Sequence, residues 1–285
     1  MTAVAPQSGD RILEVAPLGL RFADVVTRAA VADGIAVTAF QPSLPSVRVA
    51  AITNRSGTFM FPTLGRAIPG LAQAFSDSPG WDQLPPARPL VVEVQDTGGR
   101  YTSFSFQVAL PVRGLATFPC QLAEPIANLG DTLPLFSTPM RPITAGLGVV
   151  RADLFDATAG APAAGAVLEI RFSTGPLWRG IADDQGRVAV PFVFPSPEPA
   201  SPPPAPPPLD STWTATVGVR RAAGGLGPAP QDICGTLAQP GGRVWSNATL
   251  TTLLTSAEVR FQQELVLRTR NGAGNPLPAL HITTP

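Results

Sequence analysis

The sequence predicts an all-β protein built from two β-sandwich domains joined by a Pro-rich connector. Short apolar segments of about five residues alternate in hydrophobicity and are separated at regular intervals by turn residues. The 285 residues include 34 Pro and 27 Gly, and only 14% are charged. This composition is typical of an all-β protein with many turns. One strand–turn–strand pattern also occurs twice, which favours two domains over one.

The repeated pattern is clearest over residues 149–195 and has a weaker copy over residues 20–62. In each copy, a strand-like run leads through a turn of small residues to a glycine, and a second apolar strand follows. A polar turn closed by another glycine then leads into a third strand. Because glycine reaches positive φ without steric cost, we expect the polar turns to close hairpins. The matching glycines are Gly34 and Gly165 before the second strand, and Gly57 and Gly186 in the polar turn.

We predict an N-terminal arm, two domains and a connector. The arm covers residues 1–18, the first domain residues 19–113 and the second domain residues 147–285. Residues 114–146 are the connector, whose prolines allow extended segments against a neighbour but not central strands. Residues 195–208 are a low-complexity insert that we expect to form exposed polyproline II. We interpret this insert as a spacer, because no basic residue flanks its Pro-x-x-Pro pairs.

Residues 62–89 interrupt the strand pattern of the first domain. We expect a short helix over residues 68–75, followed by a loop. An insertion of this size in a compact domain is often functional or forms contacts. We therefore expect contacts with other proteins from apolar residues of this insert and of the connector: Ile68, Leu71, Phe75, Trp81, Leu84, Leu133, Leu135 and Phe136.

The net charge of the chain and its N-terminal sequence bear on which partners it binds and where it is found. The formal net charge is zero, so nothing indicates binding to nucleic acid or to an anionic membrane. All 20 basic residues are Arg, which we attribute to genome composition rather than to Arg-specific contacts. The N-terminal sequence has no secretory signal, and no apolar run approaches the ~18 residues of a membrane span. We therefore expect cytoplasmic assembly without membrane insertion, unless a larger assembly carries the protein out.

The residue chemistry does not predict an enzyme. His281 is the only histidine, so a Ser–His–Asp or Cys–His system would have to use it, and ordinary two- and three-His metal sites are excluded. It lies in an apolar strand near the C-terminus, where we expect a half-buried strand residue. Asp96-Thr97-Gly98 matches the aspartic-protease triplet, but such enzymes need two facing copies, which here would require a homodimer. We interpret this triplet as a hairpin turn. We expect no catalytic residue, no cofactor and no metal site.

An acidic turn and two cysteines are further candidates for chemistry. Residues 183–186 carry two aspartates but lack the spacing and closing Glu of an EF-hand, so we predict a bulged β-turn. Cys120 and Cys234 are too few for a disulfide framework or a metal set. A single bridge between the domains and two buried free thiols both account for them, and we expect the free thiols.

The four tryptophans leave two interpretations open. Aromatic rings can stack on sugars, as in carbohydrate-binding sandwiches, or they can fill a core. We expect core packing for scattered tryptophans and keep sugar binding as an alternative. The residues concerned are Trp81, Trp178, Trp213 and Trp245.

Residues 50–64, AAITNRSGTFMFPTL, resemble the carboxypeptidase regulatory-like (transthyretin-like) β-sandwich. Ser56-Gly57, Phe59 and Phe61 stand where that module has a Ser-Gly turn and an aromatic alternation. Residues 32–37 resemble the other sequence signature of the same β-sandwich module. The long insert after residue 61 replaces the short link to the closing strand that the family has. The resemblance implies an Ig-like or transthyretin-like sandwich for the first domain.

The second half resembles β-sandwich accessory proteins of phage-tail-like contractile injection systems. The resemblance implies a structural component at the cap or baseplate end of the particle, with no catalytic residue to carry over. Its partners would be other structural proteins of the particle in a symmetric, ring-like oligomeric context. Such particles assemble in the cytoplasm. The segments that carry the resemblance are residues 139–142, 150–154, 179–190 and 264–269.

The leading hypothesis is therefore a non-enzymatic structural or adaptor protein that acts through protein–protein contacts. The alternative is a glycan- or surface-binding β-sandwich module. The alternative requires a shallow groove with coplanar, exposed Trp rings, whereas the leading hypothesis requires exposed apolar patches or strand edges. The burial of the Trp rings therefore discriminates between the two.

Overall fold

The computed structural model describes residues 17–67, 88–110, 112, 114–126, 129–195, 211–225 and 230–285. Regular structure in these residues is almost entirely β, which confirms the predicted all-β sandwich class. The strands form two successive groups, which we call the first sandwich (β1–β10) and the second sandwich (β11–β21). No helix in the described ranges is both long and apolar enough to cross a membrane.

The first sandwich contains one long sheet, in the order β9-β8-β4-β5, and two small sheets, β1-β7-β6 and β10-β2-β3. Its core is apolar and includes the edge-to-face pair Phe22 and Phe59, whose ring centroids are 5.2 Å apart. The elements are β1 (Gly19–Leu20), β2 (Phe22–Asp24), β3 (Ala30–Val31), β4 (Ile35–Phe40), β5 (Val49–Ala50), β6 (Ile52–Thr53), β7 (Phe59–Met60), α1 (Leu64–Ala67), β8 (Arg88–Asp96), β9 (Phe104–Leu110) and β10 (Leu133–Leu135).

The second sandwich packs the sheet β14-β13-β16-β19 against strands that pair around the long strand β11. Strands β12, β15, β20 and β21 all pair with β11, and β18 pairs with β21. The elements are β11 (Leu147–Asp156), β12 (Ala161–Pro162), β13 (Val167–Phe172), β14 (Trp178–Ile181), β15 (Arg187–Val193), β16 (Thr212–Arg220), β17 (Gln231–Asp232), α2 (Ile233–Leu237), β18 (Arg243–Val244), β19 (Ser256–Arg260), β20 (Leu265–Val266) and β21 (Leu280–Thr283).

The internal repeat extends further than the sequence pattern indicates. Strand order β5-β4-β8-β9 in the first sandwich corresponds to β14-β13-β16-β19 in the second. Each sandwich also ends with a strand that pairs in parallel with a strand near its own start, since β10 pairs with β2 and β21 with β11. The two sandwiches are therefore repeats of one topology.

Three connector residues that we expected on a contact surface belong to the core instead. Leu133, Leu135 and Phe136 are all 0% exposed. The reason is that β10 pairs with β2 and completes the first sandwich, so these side chains face its interior. Pro134 is tolerated there because β10 is the edge strand of its sheet. The other five predicted contact residues, Ile68, Leu71, Phe75, Trp81 and Leu84, lie outside the described residues, as does the predicted helix at 68–75.

Four hairpin turns share one backbone arrangement. An Asp or Asn at the first position accepts hydrogen bonds from the backbone N–H groups two and four residues later. The fourth position is a glycine with φ between 67° and 84°, which residues with a side chain rarely adopt. The predicted turns at 54–57, 96–99 and 183–186 are confirmed. The four first positions are Asn54, Asp96, Asp183 and Asn271.

The two sandwiches are joined by a shared sheet and a disulfide. Strand β17, which follows β16 of the second sandwich, pairs in parallel with β9 of the first. Asp232, the last residue of β17, caps helix α2 by accepting a hydrogen bond from the Gly235 N–H at 2.7 Å. This helix places Cys234 beside Cys120, with a Cα–Cα distance of 5.0 Å, and the two form a disulfide. The expectation of two free thiols was therefore wrong, because the pairing of β17 with β9 brings the cysteines together.

Polar contacts along the connector add to this joint. Glu124 forms an ion pair with Arg171 of β13, and its carbonyl oxygen accepts a hydrogen bond from Arg179 of β14 at 3.1 Å. Arg151 of β11 donates to the carbonyl of Pro139. The predicted domain limits stay a prediction. The pairing of β17 with β9, the disulfide and the Glu124–Arg171 ion pair link segments that those limits separate.

Candidate binding groove between the two sandwiches

His281 lies on β21 in the second sandwich. Its ring packs against Phe155 at a centroid distance of 5.5 Å, and its backbone N–H donates to the Thr269 hydroxyl at 2.7 Å. It is half-buried, as expected for a strand residue. Within the described part of the chain, no group of three His, Cys, Asp or Glu side chains is placed to hold a metal.

Asp96 is held inside its own hairpin turn. Its carboxylate accepts hydrogen bonds from the backbone N–H groups of Gly98, Arg100 and Tyr101, and it pairs with the Arg100 side chain. Burial acts to raise the pKa of Asp96, but the hydrogen bonds from Arg100 and the turn backbone outweigh it and lower the pKa overall. The hairpin interpretation of residues 96–98 is confirmed, and the carboxylate is committed to the turn.

Two of the three described tryptophans are buried. Trp178 is 7% exposed and Trp245 is 9% exposed, so both rings are buried. Trp213 is partly buried against Phe194, at a centroid distance of 5.2 Å. Trp81 lies outside the described residues. The expected core packing is confirmed for Trp178 and Trp245.

A groove of about 630 Å³ runs between the two sandwiches. One wall consists of the hairpin at 96–103 and the segment 138–140, which follows β10 of the first sandwich. The other wall consists of the turns at 164–165 and 181–184 in the second sandwich, and Gln231 of β17 also lines the groove. This volume is in the range of sites that bind a small molecule or a few residues of a peptide.

Met140 is the most exposed large apolar side chain in the groove. Its side chain is 74% exposed, although its neighbours in the chain are fixed by hydrogen bonds. The Thr138 N–H donates to the Arg100 carbonyl at 2.9 Å, and the Thr138 hydroxyl donates to the Gly99 carbonyl at 2.6 Å. The segment is thus attached to the hairpin that forms the same wall. An exposed methionine on a fixed backbone suits a contact surface that adapts to a partner.

A buried polar cluster lies behind this wall and fixes it. The Tyr101 hydroxyl donates to Asp24 at 3.0 Å, and Arg141 pairs with the same carboxylate and donates to the Ser137 hydroxyl at 2.8 Å. Asp24 is 1% exposed. Met140 therefore lies between two residues that bond to the first sandwich. Thr138 donates to the hairpin at 96–103, and Arg141 pairs with Asp24 of β2.

Burial and hydrogen bonding shift the titration of this cluster. Burial acts to raise the pKa of Asp24, but backbone hydrogen bonds from Thr27 and Val26 and the charge of Arg141 outweigh it and lower the pKa. Burial and the negative charge of Asp24 raise the pKa of Tyr101 to about 12. Near neutral pH the cluster therefore contains an ionised Asp24 carboxylate that accepts a hydrogen bond from the neutral Tyr101 hydroxyl.

The groove has an acidic rim on the side of the second sandwich. Asp184 is exposed there, and Asp183 is half-buried and paired with Arg187. On the same wall, Ile181 is 3% exposed and Gly165 has positive φ. The groove therefore combines an apolar interior with a negative edge. The sequence reasoning missed it because its two walls lie far apart along the chain.

Comparison with protein-family models and with curated protein sequences gives no match. Among solved structures, the Bacillus anthracis TIE protein matches at a TM-score of 0.24 and 8% identity, over 94% of this chain and 34% of that chain. The shaft pilin SpaA of Lactobacillus rhamnosus GG matches at a TM-score of 0.22 and 9% identity, over 94% of this chain and 97% of that one.

A 9R-lipoxygenase from Cyanothece PCC8801 matches at a TM-score of 0.20 and 15% identity, over 50% of this chain and 18% of that chain. The chain spans 34% of the TIE protein and 18% of the lipoxygenase, so less than two thirds of either. Similarities at these TM-scores carry no functional conclusion. Neither resemblance drawn from the sequence is supported by these comparisons.

Proposed function

We propose that this chain is a non-enzymatic structural protein of a phage-tail-like contractile injection particle, and that it contacts a neighbouring particle protein through the groove between its sandwiches. The observation that carries this proposal is the exposed Met140 on a backbone segment fixed on both sides. Residues 139–142, which include Met140, are also one of the segments that resemble injection-system accessory proteins.

The joint between the sandwiches supports a structural role. A groove formed by two independently moving domains would change shape with each motion. Here β17 extends the sheet of the first sandwich, and the Cys120–Cys234 disulfide lies directly beyond it. The two walls are thus held together, and a preorganised surface binds with less loss of conformational freedom.

The proposal also covers where in the cell the protein joins the particle. Particle components of this kind would assemble in the cytoplasm, where disulfides are rare. The bridge between Cys120 and Cys234 fits a protein that later reaches an oxidising environment as part of a released particle. The proposal also takes the first sandwich as a carboxypeptidase regulatory-like module, with the Asn54 turn and Phe59 in its signature positions.

Replacing Met140 tests the proposal. Met140→Glu places a charge in the apolar part of the groove and should abolish co-purification with sheath, tube and baseplate proteins. Leu253→Glu is the matched control, because Leu253 is also exposed (47%) but lies between β18 and β19 and does not line the groove. Both variants should keep the wild-type unfolding midpoint. Normal incorporation of the folded Met140→Glu variant into particles would contradict the use of this groove.

A further inference from the structure

A cluster of aromatic rings lies at one end of the second sandwich. Phe194 packs against Trp213 with ring centroids 5.2 Å apart, and against Phe261 at 5.0 Å in an edge-to-face arrangement. Trp213 and Phe261 complete the triangle at 6.3 Å. Behind them, the ring of Phe192 is 0% exposed and contacts Phe194 at 5.2 Å. We call Phe194, Trp213 and Phe261 the aromatic face.

The aromatic face is formed by three strands that end at the same place. Phe194 follows β15, Trp213 is the second residue of β16, and Phe261 follows β19. Each of its three residues is only partly buried, unlike Phe192 behind them. The face therefore offers rings that are fixed by the sheet yet still accessible from one side.

A groove of about 390 Å³ lies beside the aromatic face. It is lined by residues 143–149 and by residues 262–264, which directly follow Phe261. The ring of Phe192 also packs on Gly148 of the groove wall, where a Cβ atom would meet it at 2.2 Å. The rings and the groove thus form one surface at this end of the sandwich.

The Pro-rich segment of the chain leaves and returns at this surface. Residues 196–210 lie outside the described residues, and they are bounded by Pro195, next to Phe194, and by Ser211, two residues before Trp213. The backbone carbonyl of Ser211 accepts a hydrogen bond from the Phe261 N–H at 3.0 Å, so the return point is fixed at the face. The run 202–208 reads PPPAPPP and stops five residues before Trp213.

We propose that the aromatic face is a binding site for a proline-rich segment and that its occupant is the chain's own run 202–208. Proline-rich segments bind grooves lined by aromatic side chains, since the pyrrolidine rings pack on the aromatic faces and little conformational freedom is lost. The run 202–208 therefore suits the aromatic face by its chemistry as well as by its position in the chain. The insert is then part of the second sandwich rather than a spacer.

Attachment favours the chain's own segment over that of a second copy. A short connection holds the run near the face at an effective concentration on the order of millimolar, so even weak packing suffices. The proposal is independent of the particle and of the inter-sandwich groove, because none of its residues lines that groove.

Fluorine NMR on the full chain labelled with 5-fluorotryptophan tests the proposal. The signal of Trp213 is assigned by its loss in Trp213→Phe. In a variant with all prolines of 202–208 replaced by Ser, this signal should move. Its H₂O-to-D₂O isotope shift should also rise, because the Trp213 ring loses the segment that covers it. A variant with only Pro197 and Pro199 replaced by Ser is the matched control and should leave the signal unchanged.

Two measurements on the same samples decide the outcome. The signals of Trp178 and Trp245, which are buried elsewhere in the sandwich, should be identical in all variants and show that the fold is intact. A synthetic peptide of residues 196–208, added at millimolar concentration to the variant with all six prolines replaced, should restore the wild-type Trp213 signal. An unchanged Trp213 signal in that variant overturns the proposal. A wild-type signal that changes on dilution also overturns it, because the occupant would then be a second copy.

Discussion

Cys120 and Cys234, 114 residues apart in the sequence, form a disulfide between the connector of the first sandwich and helix α2 of the second. The bond closes a loop that contains most of the second sandwich. In the loop-entropy relation, a crosslink over such a distance reduces the conformational entropy of the unfolded chain more than a local one would. It also fixes β17 against the edge of the first sandwich.

Removing this bond should cause a large loss of stability. Cys120→Ser combined with Cys234→Ser is expected to lower the free energy of unfolding by about 4–5 kcal/mol, from the loop-entropy relation. Urea denaturation measures it. Dithiothreitol should lower the stability of the wild type by a similar amount and leave the double variant unchanged. A wild type that is insensitive to reductant would show that the bridge does not contribute.

Two turn glycines with similar backbone angles should respond differently to alanine. Gly99 (φ 67°) has open space where a Cβ would lie, so Gly99→Ala should cost only the backbone strain of about 1–2 kcal/mol. At Gly186 (φ 77°) the Cβ would lie 2.4 Å from the Leu154 carbonyl oxygen. Gly186→Ala should therefore cost at least about 3 kcal/mol. Equal losses in urea denaturation would refute the close contact.

The buried Asp24–Arg141 pair should contribute more to the free energy of unfolding than an exposed ion pair does. Asp24→Asn keeps the side-chain size but leaves Arg141 with no opposite charge at a site where Asp24 is 1% exposed, so we expect a loss of about 3–5 kcal/mol. The control is Glu258→Gln, whose pair with Arg260 is exposed on both sides and should be worth less than about 1 kcal/mol. Thermal or urea unfolding compares the two, and similar losses would argue against the buried cluster.

Stability should fall on the acid side because two carboxylates have lowered pKa values. Asp24 and Asp96 bind protons less readily in the folded chain than in the unfolded chain. Their contribution is fully present above the unfolded value of about 3.9 and is lost as the pH falls from there through the folded values. Urea midpoints measured from pH 6 to pH 2 should show this loss. The slope should be smaller in Asp24→Asn, and an identical slope would contradict the assignment.

Tyr101 should produce a loss of stability on the alkaline side. Its pKa is raised to about 12 in the folded protein. The stabilisation is therefore complete below the unfolded value of about 10 and is lost as the pH rises from there towards 12. Tyr101→Phe removes the titrating hydroxyl and should reduce this dependence. Ultraviolet titration at 295 nm with urea denaturation at pH 8 to 11 measures both effects.

The sequence predicts the local features of this fold and misses the long-range ones. The Asn54, Asp96 and Asp183 turns could be predicted because each depends on a polar residue and a glycine three positions apart. Strand β10 could not, because Leu133 and Leu135 flank a proline and become a strand only by pairing with β2, more than a hundred residues earlier. Short apolar runs of this kind carry no periodicity that marks them as core.

The disulfide and the groove were missed for the same reason. Helix α2 has five residues, one of them Gly235, so its sequence gives little helical signal. Its position depends on the pairing of β17 with β9, which joins residues 231–232 to residues 104–105. The groove likewise depends on how Met140 and Asp184 are placed relative to each other by the two sandwiches. Spatial relationships between segments so far apart are not encoded in any local pattern.

We propose that this chain works as a structural component of a contractile injection particle. The most direct measurement is a native pull-down from the source cells with a C-terminally tagged chain, followed by mass spectrometry of the proteins retained. The account predicts sheath, tube and baseplate proteins in the eluate, and their loss with Met140→Glu. A monomer that retains none of these proteins and instead retains polysaccharide would contradict it.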